Sequence, residues 1–393
     1  MIKKRTIAYI WLTVLLFYII SPWFFEKRLL FNELLALSGV GLLFYKRLRV
    51  GNDQITRCII LLLLWSFMHA MVSLIRMDSL YYYFRNTVIL YSIFAFFTGY
   101  YCFNYLPGYI SKIRNLLRWY VGIFLFVPLS RLFFERFGMA ALYPALFKKA
   151  GRQTLVILIL INIIYGLTYD SATAFLLSAL YILLLISPGY LFFKQFIVVI
   201  FVLFVVFFIA VQPNLNLIAR HYNYYSDKAI HEVMNSNMLL HLDGNSTWRL
   251  VLWKQVIVDH FPANIFGIGF GTPMMRYFPV EDYTKLATLP YVIGAHNSFI
   301  YLFGRLGLVF PLLMGIIYIR IFREYFYFKR YYYSNSHIFI FWSFFAVTVI
   351  ALFNPALESP IYASGYWLIL GFTARAINNR KNPLIFAPTE QAQ

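Results

Sequence analysis

Residues 58–75 read CIILLLLWSFMHAMVSLI, eighteen consecutive positions without Asp, Glu, Lys or Arg. A helix of about 20 apolar residues crosses a bilayer's hydrocarbon core. A soluble surface helix of this length would carry a polar face, and this one has none. The same pattern recurs on both sides of it, near 7–25, 29–45, 86–106, 116–134, 153–169, 171–187, 192–211, 297–319, 337–353 and 361–378. Across the 393 residues the hydrophobic fraction is 61% and the charged fraction 12%, with a mean hydropathy of +0.69. Ordinary soluble domains are roughly 45–50% apolar. The expectation is an all-α, polytopic membrane helix bundle, because only helices and closed barrels satisfy their own backbone in lipid.

A weaker stretch at 136–149, RFGMAALYPALFKK, decides the span count. If it crosses and the N-terminus is cytoplasmic, twenty Lys and Arg fall in cytoplasmic segments. Six fall in short exterior loops: Lys27, Arg28, Arg76, Arg85, Arg131 and Arg136. If it does not cross, the basic clusters at 320–330 and 375–381 move outside while Lys3, Lys4 and Arg5 stay inside. The positive-inside rule therefore favours about twelve spans with both termini in the cytoplasm. Residues 1–211 then hold the N-terminal spans, 212–296 an exterior loop, 297–378 the C-terminal spans and 379–393 a cytoplasmic tail.

The net charge of +19 sits in loops between apolar runs, where it sets orientation beside anionic lipid. No nucleic-acid motif accompanies it. Lys3, Lys4, Arg5 and the run from Ile7 imitate a signal peptide, but bulky residues follow (Ser21, Pro22, Trp23), so an uncleaved first span is expected. Cys58 and Cys102 both lie in apolar runs, without disulfide or metal spacing.

Residues 212–296 are the one long polar segment. They hold His221, His231, His241, His260 and His296, five of the seven histidines, and six of the fifteen acids. Loops this long are functional or disordered. Trp248 to Val258 is amphipathic and helix-like, with Ser246 or Thr247 placed to cap it. Chemistry-bearing residues follow in order: Arg249; Pro262 with Gly267-Ile268-Gly269-Phe270-Gly271; His296-Asn297; and Gly304-Arg305-Leu306-Gly307.

That ordered set, over residues 246–311, resembles the bacterial O-antigen ligase and polymerase superfamily. Gly365 to Gly371 in the last run is similar to the family's ending. The resemblance implies a lipid-sugar transferase of the GT-C kind, working on the periplasmic side of the inner membrane without metal or cofactor. The implied donor is an oligosaccharide on undecaprenyl pyrophosphate. The acceptor is a hydroxyl on another lipid-linked repeat for a polymerase, or on lipid A–core for a ligase. Inner-membrane lipids and a chain-length regulator complete the implied partners. The family carries Ser-Arg or Thr-Arg where this chain has Ser171-Ala172, so one pyrophosphate ligand is missing. Arg220, Arg131 or Arg152 would replace it, or the donor is held differently. The gap favours a polymerase over a ligase.

A sugar hydroxyl is a poor nucleophile, and a histidine base is worth roughly 10²–10⁴-fold. His296 is the candidate general base, with Glu358 as its orienter. Arg249, Arg220 and Arg305 are candidate donors to the pyrophosphate, which guanidinium grips bidentately. An arginine inside a span costs roughly 2.5–3.5 kcal/mol, so Arg305 needs a partner. Asn297 and Asp170 are candidate acceptor or positioning groups. Plainer readings stay open. His296 could simply precede Asn297 as a helix cap. Arg249 could pair with Asp243 or Asp259, and Glu358 could be solvated. The Gly267–Gly271 run lacks a phosphate loop's Lys and reads better as a tight turn. His221, His231 and His241 have no zinc spacing. A twelve-helix transporter is the rival class, but no internal repeat is evident, and a transporter has no need of the 85-residue loop.

Overall fold

A computed structural model describes residues 6, 8–13, 31–44, 53–106, 109, 262–272, 274, 297–331 and 337–381, with single positions within 156–182 and 249–257. Among these the chain is helical, without strands. The elements are α1 (Phe31–Phe44), α2 (Gln54–Arg76), α3 (Leu80–Asn86), α4 (Val88–Ser92), α5 (Ala95–Cys102), α6 (Ala263–Phe266), α7 (Ser298–Leu306), α8 (Val309–Tyr331), α9 (His337–Phe353) and α10 (Pro360–Lys381). The helices α3 to α5 and the 3₁₀ turn at Phe103–Tyr105 run on as one apolar stretch, interrupted near Thr87 and Phe94. Both Gln54–Arg76 and Leu80–Tyr105 are long and apolar enough to cross a membrane. The count of twelve spans falls largely on residues outside those described.

The α2 helix shows which solvent it meets. Asp53 caps it, accepting the Thr56 amide at 3.0 Å and the Thr56 hydroxyl at 2.9 Å. Its exposed stripe is Leu61, Leu64, Phe67, Met68, Met71 and Ile75, while the buried stripe includes Cys58, Ser66, Ala70 and Ser73. Between residues 60 and 75 every exposed side chain is large and apolar, while the buried face mixes Ile55, Ile59 and Leu62 with these small or polar residues. Water would favour a polar outer face, whereas lipid is indifferent to apolar surface and helices in it pack through small residues. The α8 helix likewise exposes large apolar side chains, Leu312 and Ile319, while it buries Met314, Ile317 and Ile321.

Helix α10 lies directly on α5. A Cβ on Gly99 would strike the carbonyl of Leu368, and one on Gly371 the carbonyl of Phe96. Two backbones meet there because neither has a side chain between them. Arg375 closes this pair at one end of the bundle: its Nε donates to Asn104 Oδ1 at 3.2 Å and its guanidinium lies 4.9 Å from the Tyr100 ring centre. Arg57 stands at the start of α2, Arg320 and Arg323 in the second half of α8 and Arg375 near the end of α10, each toward the helix end remote from the start of α7, which is the basic end of the bundle. The opposite end holds the α2–α3 turn, residues 267–274, the start of α7 and the α9–α10 turn.

The run expected as one span over 297–319 is two helices. Gly307 takes φ 71° and ψ −165° and stops α7. As a result α7 folds back on α8, with the Phe299 ring 6.1 Å from Phe310 and 6.0 Å from Tyr318. Residues 299 and 310 would stand about 16 Å apart along one straight helix at 1.5 Å per residue. Hydropathy does not register a backbone reversal inside an apolar run. The α8 helix also continues past 319, its charges carried by an Arg320–Glu324 pair at 2.6 Å.

Candidate functional site

The loop before α7 is built into the bundle. Residues 267–272 are non-helical and run beside the C-terminal end of α2. Non-helical backbone survives in a membrane protein only where its polar groups are satisfied. Five successive amides are satisfied here by the protein itself. Gly267 N bonds Ala263 O, Ile268 N bonds Gly304 O, and Gly269 N bonds Arg305 O, each at 3.0 Å. Phe270 N donates to Ser73 Oγ at 2.8 Å and Gly271 N to Asn86 Oδ1 at 3.2 Å. A phosphate cradle needs free amides, and this run has given up its own. The plainer reading of the glycine run, a tight turn, is the one the geometry shows.

Both glycine motifs meet at one crossing. Gly267 has φ 89°, and a Cβ on it would collide with the Arg305 carbonyl and the Gly307 amide. A Cβ on Gly307 would collide with Ile265 and Phe266. A Cβ on Gly304 would meet Val256 and Met274, so the loop's apolar face seats there. Arg249 and Trp253 are helical, in keeping with the amphipathic pattern over 248–258.

Arg305 is 3% exposed. Its Nη1 donates to the carbonyls of Gly269 at 3.0 Å and Thr272 at 2.7 Å, and its guanidinium lies 5.2 Å from the Tyr301 ring centre. The partner an in-span arginine requires is thus the loop backbone, which Arg305 clamps to α7.

Asn297 caps α7, its Oδ1 accepting the amides of Phe299 at 3.0 Å and Ile300 at 3.1 Å. Ser298 reaches across to the α9–α10 turn, donating to Asn354 O at 3.0 Å. Arg249 reaches the same turn, its Nη1 donating to Phe353 O at 3.5 Å. Glu358 stands on that turn. Both of its carboxylate oxygens are shut off from solvent and have no hydrogen-bond partner among the described residues, so the solvated reading of this residue does not hold. Burial pushes its pKa up to about 8, against the opposing pull of Arg305 and Arg85.

The structure therefore brings Arg249, Asn297, Arg305 and Glu358 to one end of the bundle. His296, immediately before the capping Asn297, lies outside the described residues, as do Arg220, Asp170, Ala172, Arg131 and Arg152. Two groups escaped the sequence reading. Arg85, counted there as a loop charge, lies within electrostatic range of both Tyr301 and Glu358. Asn86 joins the elements, its Nδ2 donating to the Tyr301 hydroxyl at 2.8 Å while its Oδ1 takes the Gly271 amide. Nothing in the linear pattern marked either residue, since positions 85, 301 and 358 meet only in three dimensions. Among the described residues no group of three or more His, Cys, Asp or Glu could hold a metal. Cys58 and Cys102 are buried free thiols.

These features define a class: an α-helical membrane protein with a buried polar site at one end of its bundle, roofed by a loop inserted between helices. Residues 154–314, about two-fifths of the chain, match the family model described as O-antigen ligase, so this part of the chain is similar to that family. No curated protein and no solved structure matches it.

Proposed function

We propose that the protein is a surface-polysaccharide polymerase of the inner membrane. It transfers a glycan from undecaprenyl pyrophosphate to a hydroxyl of a second lipid-linked repeat, on the exterior face and without a metal. The carrying observation is the convergence of Arg249, the Asn297–Ser298 start of α7 and the buried Glu358 on one turn. Cations beside a water-excluded carboxyl, next to the position of His296, suit a reaction that separates charge.

In this reading the acceptor oxygen attacks the anomeric carbon and a new glycosidic C–O bond forms. The bond from that carbon to the phosphate oxygen breaks, and the pyrophosphate leaves as an anion. The acceptor's proton passes to His296. Arg249 and Arg220 neutralise the leaving group, and Arg305 adds its charge from beneath the loop it clamps. Asn297 sets the position of His296 through the cap, with Glu358 orienting the imidazole and Asp170 on the acceptor side. About twelve spans, with both termini cytoplasmic, put the basic end inside, in keeping with the positions of Arg57, Arg320, Arg323 and Arg375.

The second reading is an O-antigen ligase acting on lipid A–core, favoured by the description of the matching family. Against it stands Ala172 where the family carries arginine. A gel of lipopolysaccharide from a strain lacking the gene separates the two. Loss of a polymerase leaves core bearing a single repeat. Loss of a ligase leaves bare core, with glycan stranded on the carrier lipid. An unchanged ladder refutes both.

A further inference from the structure

The Ala172 substitution leaves the proposed donor short of one cation. Resting on the reading above, we propose that Arg85 supplies it, so that the donor's diphosphate binds between the Arg85 guanidinium and the Tyr301–Arg305 face of α7, over Glu358. Neither Arg85 nor Glu358 lies within residues 154–314, so the family match assigns no role to either.

Arg85 is placed by its neighbour. Asn86 holds the end of α3 to α7 through the Tyr301 hydroxyl and to the glycine loop through the Gly271 amide. The adjacent Arg85 is thereby fixed at the same corner, half-buried. No hydrogen bond or ion pair engages its side chain among the described residues, although Tyr301 and Glu358 both lie in its field. Arg305 is different, for its Nη1 is taken by two carbonyls. A half-buried guanidinium with an unclaimed fork is the geometry that grips phosphate oxygens.

Glu358 supplies the second, independent observation. A buried carboxyl with neither oxygen hydrogen-bonded costs about 1–3 kcal/mol or more, and such orphans call for an explanation. A bound diphosphate provides one. Held in its protonated form at neutral pH by burial, the carboxyl does not repel the anion and offers it an O–H. Two guanidinium groups and one neutral acid leave this corner with a net positive charge, which a doubly charged ester neutralises.

The test uses the full chain in lipid nanodiscs and sugar-free undecaprenyl pyrophosphate as the probe, with affinity read by tryptophan fluorescence. Arg85→Ala is expected to weaken binding at least tenfold while Arg57→Ala, at the basic end, leaves it unchanged. Removing an exterior positive charge does not weaken the inside bias that sets topology. If Arg85→Ala loses its melting transition, Arg85→Gln takes its place with the same expectation. Wild-type affinity in the folded neutral variant overturns the Arg85 assignment and leaves the transferase reading standing. Failure of the wild-type protein to bind the probe overturns both.

Discussion

Ser298 and Leu357 share one hydrogen bond, the Leu357 amide donating to the Ser298 hydroxyl at 2.9 Å while that hydroxyl donates on to Asn354 O at 3.0 Å. This double link fastens the start of α7 to the turn that carries Glu358. Ser298→Ala leaves the buried Leu357 amide unpaired, at about 1–3 kcal/mol, while Asn354 O keeps the Ala356 amide. A lowered melting temperature in detergent is expected, together with reduced transfer, because the turn is released from α7. An unshifted melting curve would show that the link contributes nothing.

Gly307 tolerates no side chain. Its φ and ψ fall in a region essentially confined to glycine, and its ideal Cβ position overlaps backbone atoms of Ile265 and Phe266. Gly307→Ala should cost more than about 2 kcal/mol, combining 1–3 kcal/mol of backbone strain with displacement of the loop. Limited proteolysis should then cut within 262–274, where the native protein resists. Equal resistance in the variant would refute the crossing.

Glu358 gives stability a pH signature. Its pKa in the folded protein, about 8, lies above the ordinary carboxyl value of 4.5. Between these two values the unfolded chain releases the proton that the folded protein keeps. Stability therefore falls as pH rises from about 5 to about 8, then levels off. Glu358→Gln removes this slope, so its melting temperature should vary less with pH than that of the wild type. Parallel curves for the two proteins would show that the carboxyl ionises normally.

His296→Ala should abolish glycan transfer at unchanged protein level, with Asn297 still capping α7. A general base is worth roughly 10²–10⁴-fold, so residual activity near wild type removes His296 from that role. EDTA should leave the reaction untouched. Inhibition relieved by Mg²⁺ or Mn²⁺ would point to a metal-dependent transferase.

The apolar runs were legible because lipid imposes a length and a composition. The runs at 29–45, 58–75, 337–353 and 361–378 lie within a few residues of α1, α2, α9 and α10. The cap at Asn297 was legible because capping is local. The reversal at Gly307 was not, since hydropathy is blind to φ, and the run over 297–319 passed for one span. Arg305 stood out as a charge in an apolar run, but its carbonyl partners lie more than thirty residues away in sequence. Arg85 was masked by its own context, a basic residue at a helix end, where most arginines only set orientation.

The close approach of α5 and α10 at Gly99 and Gly371 bears on how the protein is made. The surface around Gly99 reaches the bilayer well before its mate, which follows more than two hundred residues later in the chain. In the interval that groove must be occupied by lipid or by the insertion machinery. A nascent polypeptide halted before Gly371 would expose an unfilled cleft beside Phe96 and Tyr100, a mark by which quality-control proteases could recognise an incomplete molecule.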